Sequence, residues 1–210
     1  GLLLIANQGS CAQPDLRHPP AQFPVTPPLL TSGYNAPSLG DFDGDGDLDL
    51  VMGVIGGAFG PNRTSIDNLY LVEQVKRGEW STRTSRLLPM LDVGSESVPT
   101  LADLDGDGDL DLLVGNRIVQ GEGERGTLTW LENVGSRTAP SFRDRGPLGL
   151  PTEFNPTAAV ADLDGDGLQD LVVGTWRDRV QWFRNSGSKS APTWTLADSA
   201  LIVLTRGSNS

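Results

Sequence analysis

Short apolar runs, each closed by a cluster of turn-forming residues, recur along the chain. None is long enough to span a membrane. Val98 to Ala102 and Ala158 to Ala161 are brief and lead into loops rich in Asp and Gly. Leu110 to Val114 and Leu171 to Val173 leave those loops as near-continuous apolar runs, the pattern of a strand buried on both faces. Thr127 to Glu132 alternates: Leu128, Trp130 and Glu132 face one way, and Thr127, Thr129 and Leu131 the other. Val180 to Arg184 is its counterpart. Beyond a Pro, Ser141 to Arg143 and Thr193 to Leu196 read as a fourth strand. The pattern predicts an all-β chain of four-stranded units.

The units repeat with a period of about 60 residues. DFDGDGDLDLVMG at 41–53, DLDGDGDLDLLVG at 103–115 and DLDGDGLQDLVVG at 162–174 start 62 and 59 residues apart. A second signal keeps the same phase: Asn-x-Gly-Ser, with Pro seven residues after the Asn. It occurs at Asn133/Gly135/Ser136/Pro140, at Asn185/Gly187/Ser188/Pro192 and at Asn7/Gly9/Ser10/Pro14. The unit around the first Asp loop carries a shortened version, in which Tyr70-Leu71-Val72 leads into Arg77-Gly78-Glu79-Trp80. Four short strands per repeat predict β-propeller-like blades of four antiparallel strands. The boundaries fall at 1–35 for the third and fourth strands of a preceding blade with a Pro-rich connector, 36–97, 98–156 and 157–210 for three full blades. Gly1 to Leu16 supply the two strands of the half blade. Gly207 to Ser210 match Gly94 to Ser97, which precede a first strand. This arrangement predicts a partial propeller, or one completed by assembly. Leu2 to Ala6 followed by Ser10-Cys11-Ala12 also fits the tail of a secretion signal, but the repeat accounts for the segment better.

Composition sharpens the picture. There are 26 Gly and 15 Pro in 210 residues, about one in five, which opposes long helices. The net charge is −11, and a nucleic-acid partner is excluded for want of a basic surface. Asp outnumbers Glu by 20 to 7, and fourteen acids lie in the windows 41–49, 103–111 and 162–170. Without them the chain would be basic by three charges. The charge therefore belongs to three sites and not to a solubilising surface. One Cys and one His are too few for a Cys/His zinc centre.

In the first window Asp41, Asp43 and Asp45 occupy the first, third and fifth positions, Gly46 the sixth, Asp47 the seventh and Asp49 the ninth. Carboxylates at the first, third, fifth and ninth positions, a Gly for the turn and a main-chain carbonyl at the seventh form an oxygen cage for a hard cation. The second copy places Asp103, Asp105, Asp107, Asp109 and Asp111 in the same order. The third has Asp162, Asp164, Asp166 and Asp170, with Leu168 at the seventh position, a swap that a carbonyl ligand tolerates. A pair of carboxylates about 4 Å apart repels by roughly 1 to 4 kcal/mol across effective dielectrics of 80 to 20, and a divalent ion removes that cost. Oxygen-only ligands in a flexible loop favour Ca²⁺ over Mg²⁺, giving three sites. The twelfth position holds Met52, Val114 or Val173 instead of Glu, so the loop is not an EF-hand.

The D-x-D-G-D-G-x-x-D-L-x-x-G run, the repeat length and the Asn-x-Gly-Ser…Pro segment resemble the FG-GAP/VCBS repeats of secreted proteins, relatives of the calcium-binding blades of integrin α-subunits. The resemblance implies propeller blades with calcium held between the first two strands, and an extracellular setting. The family includes adhesion modules, lectins and appendages of large enzymes, so it leaves the function open.

Weaker signals change little. Gly121 to Gly126 spells G-x-G-x-x-G but runs into a strand and carries two acids, so it reads as a hairpin tip and not a nucleotide site. Ser186 to Lys189 spells S-x-x-K by coincidence, and His18 has no evident partner for base catalysis. Trp130, Trp176, Trp182 and Trp194 suit stacking on glycans or packing between blades, and packing is the expectation. Asn62-Arg63-Thr64 is a glycosylation sequon in a surface insert, expected unmodified. The expected role is non-enzymatic: a calcium-fastened scaffold or adhesion element whose partners are further blades or neighbouring copies. A glycan-binding propeller, recognition of cell-surface proteins and an accessory segment of a secreted enzyme are the alternatives.

Overall fold

The computed structural model describes residues 2–23, 34–55, 69–81, 97–116, 126–152, 155–175 and 179–203. The sequon at Asn62, Trp176, the hairpin tip at 121–125 and the segment 207–210 lie outside them.

Among the described residues every regular element is a strand. Three antiparallel meanders carry the chain. Unit one contains β3 (Tyr34–Gly40), β4 (Asp49–Ile55), β5 (Leu69–Lys76) and β6 (Glu79–Ser81). Unit two contains β7 (Val98–Ala102), β8 (Asp111–Asn116), β9 (Thr127–Asn133) and β10 (Phe142–Pro147). Unit three contains β11 (Thr157–Ala161), β12 (Asp170–Gly174), β13 (Arg179–Asn185) and β14 (Trp194–Val203). A separate two-stranded sheet pairs β1 (Leu2–Leu4) with β2 (Ala21–Phe23). The sheets are propeller-like blades, and among the described residues they do not close into a ring.

Adjacent units meet along their first strands. The Leu101 N–H donates to Ser38 Oγ, and the Thr100 hydroxyl donates to the Ala158 carbonyl. Apolar side chains fill the spaces between sheets. Phe42 and Val51 of unit one pack with Leu112, Val114 and Leu131 of unit two. Leu104 and Leu113 of unit two pack with Leu171, Val173 and Phe183 of unit three. The second strand of unit two, β8, faces a neighbouring unit on each side and is buried throughout, which explains its unbroken apolar run. The alternation of Thr127 to Glu132 appears as two covered faces: Leu128 and Trp130 pack in the core shared with unit three and Leu131 in the core shared with unit one, so both leucines are buried.

Two expectations about strand ends are corrected. The fourth strands run to Pro147 and Val203, past the predicted Arg143 and Leu196. They are outer strands with mostly exposed side chains, so ladder hydrogen bonds and bulges define them in place of an apolar period. In the N-terminal segment the return strand is Ala21–Phe23, beyond the predicted limit at Leu16.

The final Gly of the Asp motif marks a close approach. A Cβ on Gly53 would lie 1.9 Å from the Ser97 carbonyl oxygen, and one on Gly115 would lie 1.9 Å from that of Pro156. In both cases the chain entering the next unit crosses the end of the second strand. Gly174 meets only Thr157 Oγ1, at 3.2 Å.

Candidate metal centres

Each Asp loop joins the first strand of a unit to its second and winds through consecutive side chain-to-backbone turns. The third-position carboxylate accepts the fifth-position N–H: Asp43 from Asp45, Asp105 from Asp107, Asp164 from Asp166, at 3.2–3.3 Å. The fifth-position carboxylate accepts the seventh-position N–H: Asp45 from Asp47, Asp107 from Asp109, Asp166 from Leu168, at 2.8–3.1 Å. The sequence singled out one turn Gly, but the structure needs two. Gly44 and Gly46 have φ of 75° and 96°, and their equivalents in the other loops are also left-handed. Asp103 and Asp162 additionally gather the Gly N–H groups of their own loops.

This winding brings three carboxylates together in each loop. Oxygens of Asp41, Asp43 and Asp45 lie within 4.8 Å of one another, as do those of Asp103, Asp105 and Asp107, and those of Asp162, Asp164 and Asp166. The donor set is all oxygen, which fits a hard cation. Asp41 Oδ1 and Asp109 Oδ1 are buried with no hydrogen-bond donor among the described residues, an arrangement costly for a bare carboxylate.

The ninth-position carboxylates stand outside these clusters and have a second task. Asp49 accepts the Phe42 N–H on one oxygen and the Gln74 N–H on the other, both at 2.9 Å. Asp111 does the same with Leu104 and Asn133, and Asp170 with Leu163 and Asn185. Each ties the start of its loop to the end of the third strand. Spacing alone does not reveal this role, since an Asp in a repeated motif looks the same whether its oxygens meet a metal or amides. Among the seventh-position residues, the Asp109 side chain is buried, and those of Asp47 and Leu168 are half-buried.

Electrostatics set the loops apart. Burial pushes the Asp111 carboxyl up to about 7, against the pull of the Asn133 and Leu104 amides and with help from the Asp105 charge. Burial, then Asp107 and the other loop acids, raise Asp109 to about 6. Burial also raises Asp49 and Asp105. Burial pushes Asp41 up too, but the Arg137 guanidinium and the Gly46 and Gly44 amides outweigh it and hold the group below its ordinary value.

The Asn-x-Gly-Ser segments form one conserved geometry within the chain. Asn133 Oδ1 accepts the Gly135 and Ser141 N–H groups, at 3.1 and 2.9 Å. Asn185 Oδ1 accepts those of Gly187 and Thr193, both at 3.0 Å, and Asn7 Oδ1 those of Gly9 and Asp15, at 2.9 and 2.8 Å. The shortened version in unit one substitutes Gln74, whose Oε1 accepts the Gly78 N–H. These turns also reach the loop of the preceding unit. Arg137 pairs with Asp41, 96 residues away, and its side chain lies against Gly44. Lys189, four residues after its Asn as Arg137 is after Asn133, lies against Gly106. In loop three, Arg184 from β13 pairs with Asp164 and Asp166.

Residues 154–175, spanning β11, loop three and β12, match the FG-GAP repeat family model. The chain contains an FG-GAP repeat. No curated protein matches the chain. The matched FG-GAP repeat shares its strand order and loop hydrogen bonds with units one and two. The described tryptophans of units two and three belong to the packing: Trp130 and Trp194 form an edge-to-face pair with centroids 6.2 Å apart beside the core between those units, and the Trp182 indole donates to Asp170. Among the described residues no helix is long and apolar enough to cross a membrane.

Proposed function

We propose that the three Asp loops each hold one Ca²⁺ ion and that the chain is a non-enzymatic, extracellular structural or adhesion module fastened by those ions. The carrying observation is the recurrence, in three loops, of three carboxylates within 4.8 Å of one another. The FG-GAP match at 154–175 supports the same reading. Asp41, Asp43 and Asp45, with their equivalents Asp103, Asp105 and Asp107 and Asp162, Asp164 and Asp166, supply the negative charge. The main-chain carbonyls of Asp47, Asp109 and Leu168 complete the cages. Asp49, Asp111 and Asp170 contribute through oxygens that already accept backbone N–H groups, so the ion, the loop and the third strand become one unit.

At a hundred times its dissociation constant each ion stabilises the fold by about 2.7 kcal/mol, and three independent ions by roughly 8. That is comparable with the whole margin of a typical domain, about 5–15 kcal/mol. Thermal melts in excess EDTA and in saturating calcium test the proposal. A fall in melting temperature of ten degrees or more on chelation is expected, and superimposable melts would refute it.

A further inference from the structure

The third-strand residue before the turn Asn, or before Gln74 in unit one, holds the same place in every unit, but its charge differs. Unit one has Glu73 there, unit two Glu132 and unit three Arg184. In unit two the Glu132 carboxylate is engaged from the fourth strand, where Arg145 Nε and Nη2 donate to it at 2.6 and 2.7 Å. Arg145 is the bulged residue of β10, between the pairs Asp144–Leu131 and Gly146–Trp130. The matching bulge of β14, between Leu196–Phe183 and Asp198–Trp182, holds Ala197. Unit three thus carries its cation on the third strand and not on the fourth.

The residue opposite Arg184 in the ladder is Thr195, and the guanidinium turns to loop three. Its Nε lies 2.5 Å from Asp164 Oδ2, and its Nη2 lies 3.0 Å from Asp166 Oδ2. Those are two of the three carboxylates that cluster in that loop. Loop two has no such occupant: among the described residues no basic side chain pairs with Asp103, Asp105 or Asp107. In loop one Arg137 takes one oxygen of a single carboxylate, Asp41.

We infer that Arg184 is a tethered counter-cation that competes with calcium for Asp164 and Asp166, making loop three the weakest of the three sites. This rests on the calcium reading above and deepens it by ranking the sites. An ion entering loop three must displace two ion pairs, a step that loop two does not require. The Arg184 side chain is 49% exposed, so it can swing into solvent when the ion arrives. Exposed ion pairs are individually weak, so the handicap is graded and not absolute, roughly tenfold in dissociation constant for the two together. As calcium rises, loops one and two fill first. At lower calcium Arg184 neutralises loop three in place of the ion.

Isothermal titration of calcium into the metal-stripped chain tests the inference. Two tighter ions and one bound about tenfold more weakly are expected. Changing Asp164 and Asp166 together to Asn should abolish the weak site and spare the other two. Arg184→Gln removes the competing charge and should tighten the weak site about tenfold. Arg184→Glu combined with Ala197→Arg rebuilds the arrangement of Glu132 and Arg145 in unit three and should tighten it as well. Circular dichroism identifies which of these variants fold, and either one that folds suffices. Three sites of equal affinity overturn the inference. So does a weak site in loop one or two, or a weak site that a folded Arg184 variant leaves unchanged. Three equal sites sink only this ranking, whereas the absence of saturable binding sinks the calcium reading and the ranking with it.

Discussion

Loops two and three have the same strand–loop–strand frame and the same internal hydrogen bonds, but different surroundings. Loop two is covered: Leu104 is buried under unit three, Lys189 lies over Gly106, and Pro156 crosses Gly115. Loop three has Leu163 in solvent, open space over Gly165, and nothing but Thr157 near Gly174. One sequence motif thus combines two kinds of residue. The spaced carboxylates and the two left-handed glycines serve the loop itself and are needed in every copy. The apolar residue after the first Asp and the last Gly serve the junction with the next unit, and their importance depends on whether that junction exists.

Substitution should expose this division. On dilute chain, Leu104→Ala should cost about 2–5 kcal/mol, the usual range for a buried Leu truncated in a packed core. Leu163→Ala should stay within about 0.5 kcal/mol. Equal losses in denaturant titrations would show that the two positions share an environment. Next in size, Gly115→Ala places a methyl on the Pro156 carbonyl and should cost about 1–3 kcal/mol or more, while Gly174→Ala should be tolerated to within about 1 kcal/mol. A tolerated Gly115→Ala would contradict the close crossing.

A smaller effect concerns pH. The folded chain holds a proton on Asp111 up to about pH 7 and on Asp109 up to about 6, while an unfolded Asp releases it near 4. Between those limits the folded state binds more protons, so metal-free stability falls as pH rises from about 4 to 7. The slope is at most about 1.4 kcal/mol per pH unit for each such proton. Asp41, held low, contributes in the opposite sense and only below about pH 4. Under the proposed calcium binding the ion takes over the neutralising role, so its stabilising effect should grow through the same window. Metal-free melts whose midpoint rises steadily from pH 5 to 7 would contradict the assignment.

Much of this architecture was legible in the sequence because it repeats. The 62- and 59-residue offsets fixed the units, and the apolar run of the second strand announced a sheet covered on both faces. The loop carboxylates were legible from spacing, and the structure draws the first, third and fifth together. The outer strands were not, since β10 and β14 present mainly exposed side chains and carry no apolar period. The tie from Asp111 to the Asn133 amide was also hidden, because its acceptor and donor are 22 residues apart and the donor is backbone. Arg137 reaching Asp41 was hidden for a similar reason: it is a contact between units, and a basic residue in a turn reads as surface.

That the three Asp loops enclose metal is tested most directly by counting bound ions. Isothermal titration of calcium into the metal-stripped chain should give three ions per chain, falling to two when Asp164 and Asp166 are both changed to Asn. No saturable heat, or a count unaffected by those changes, would contradict it.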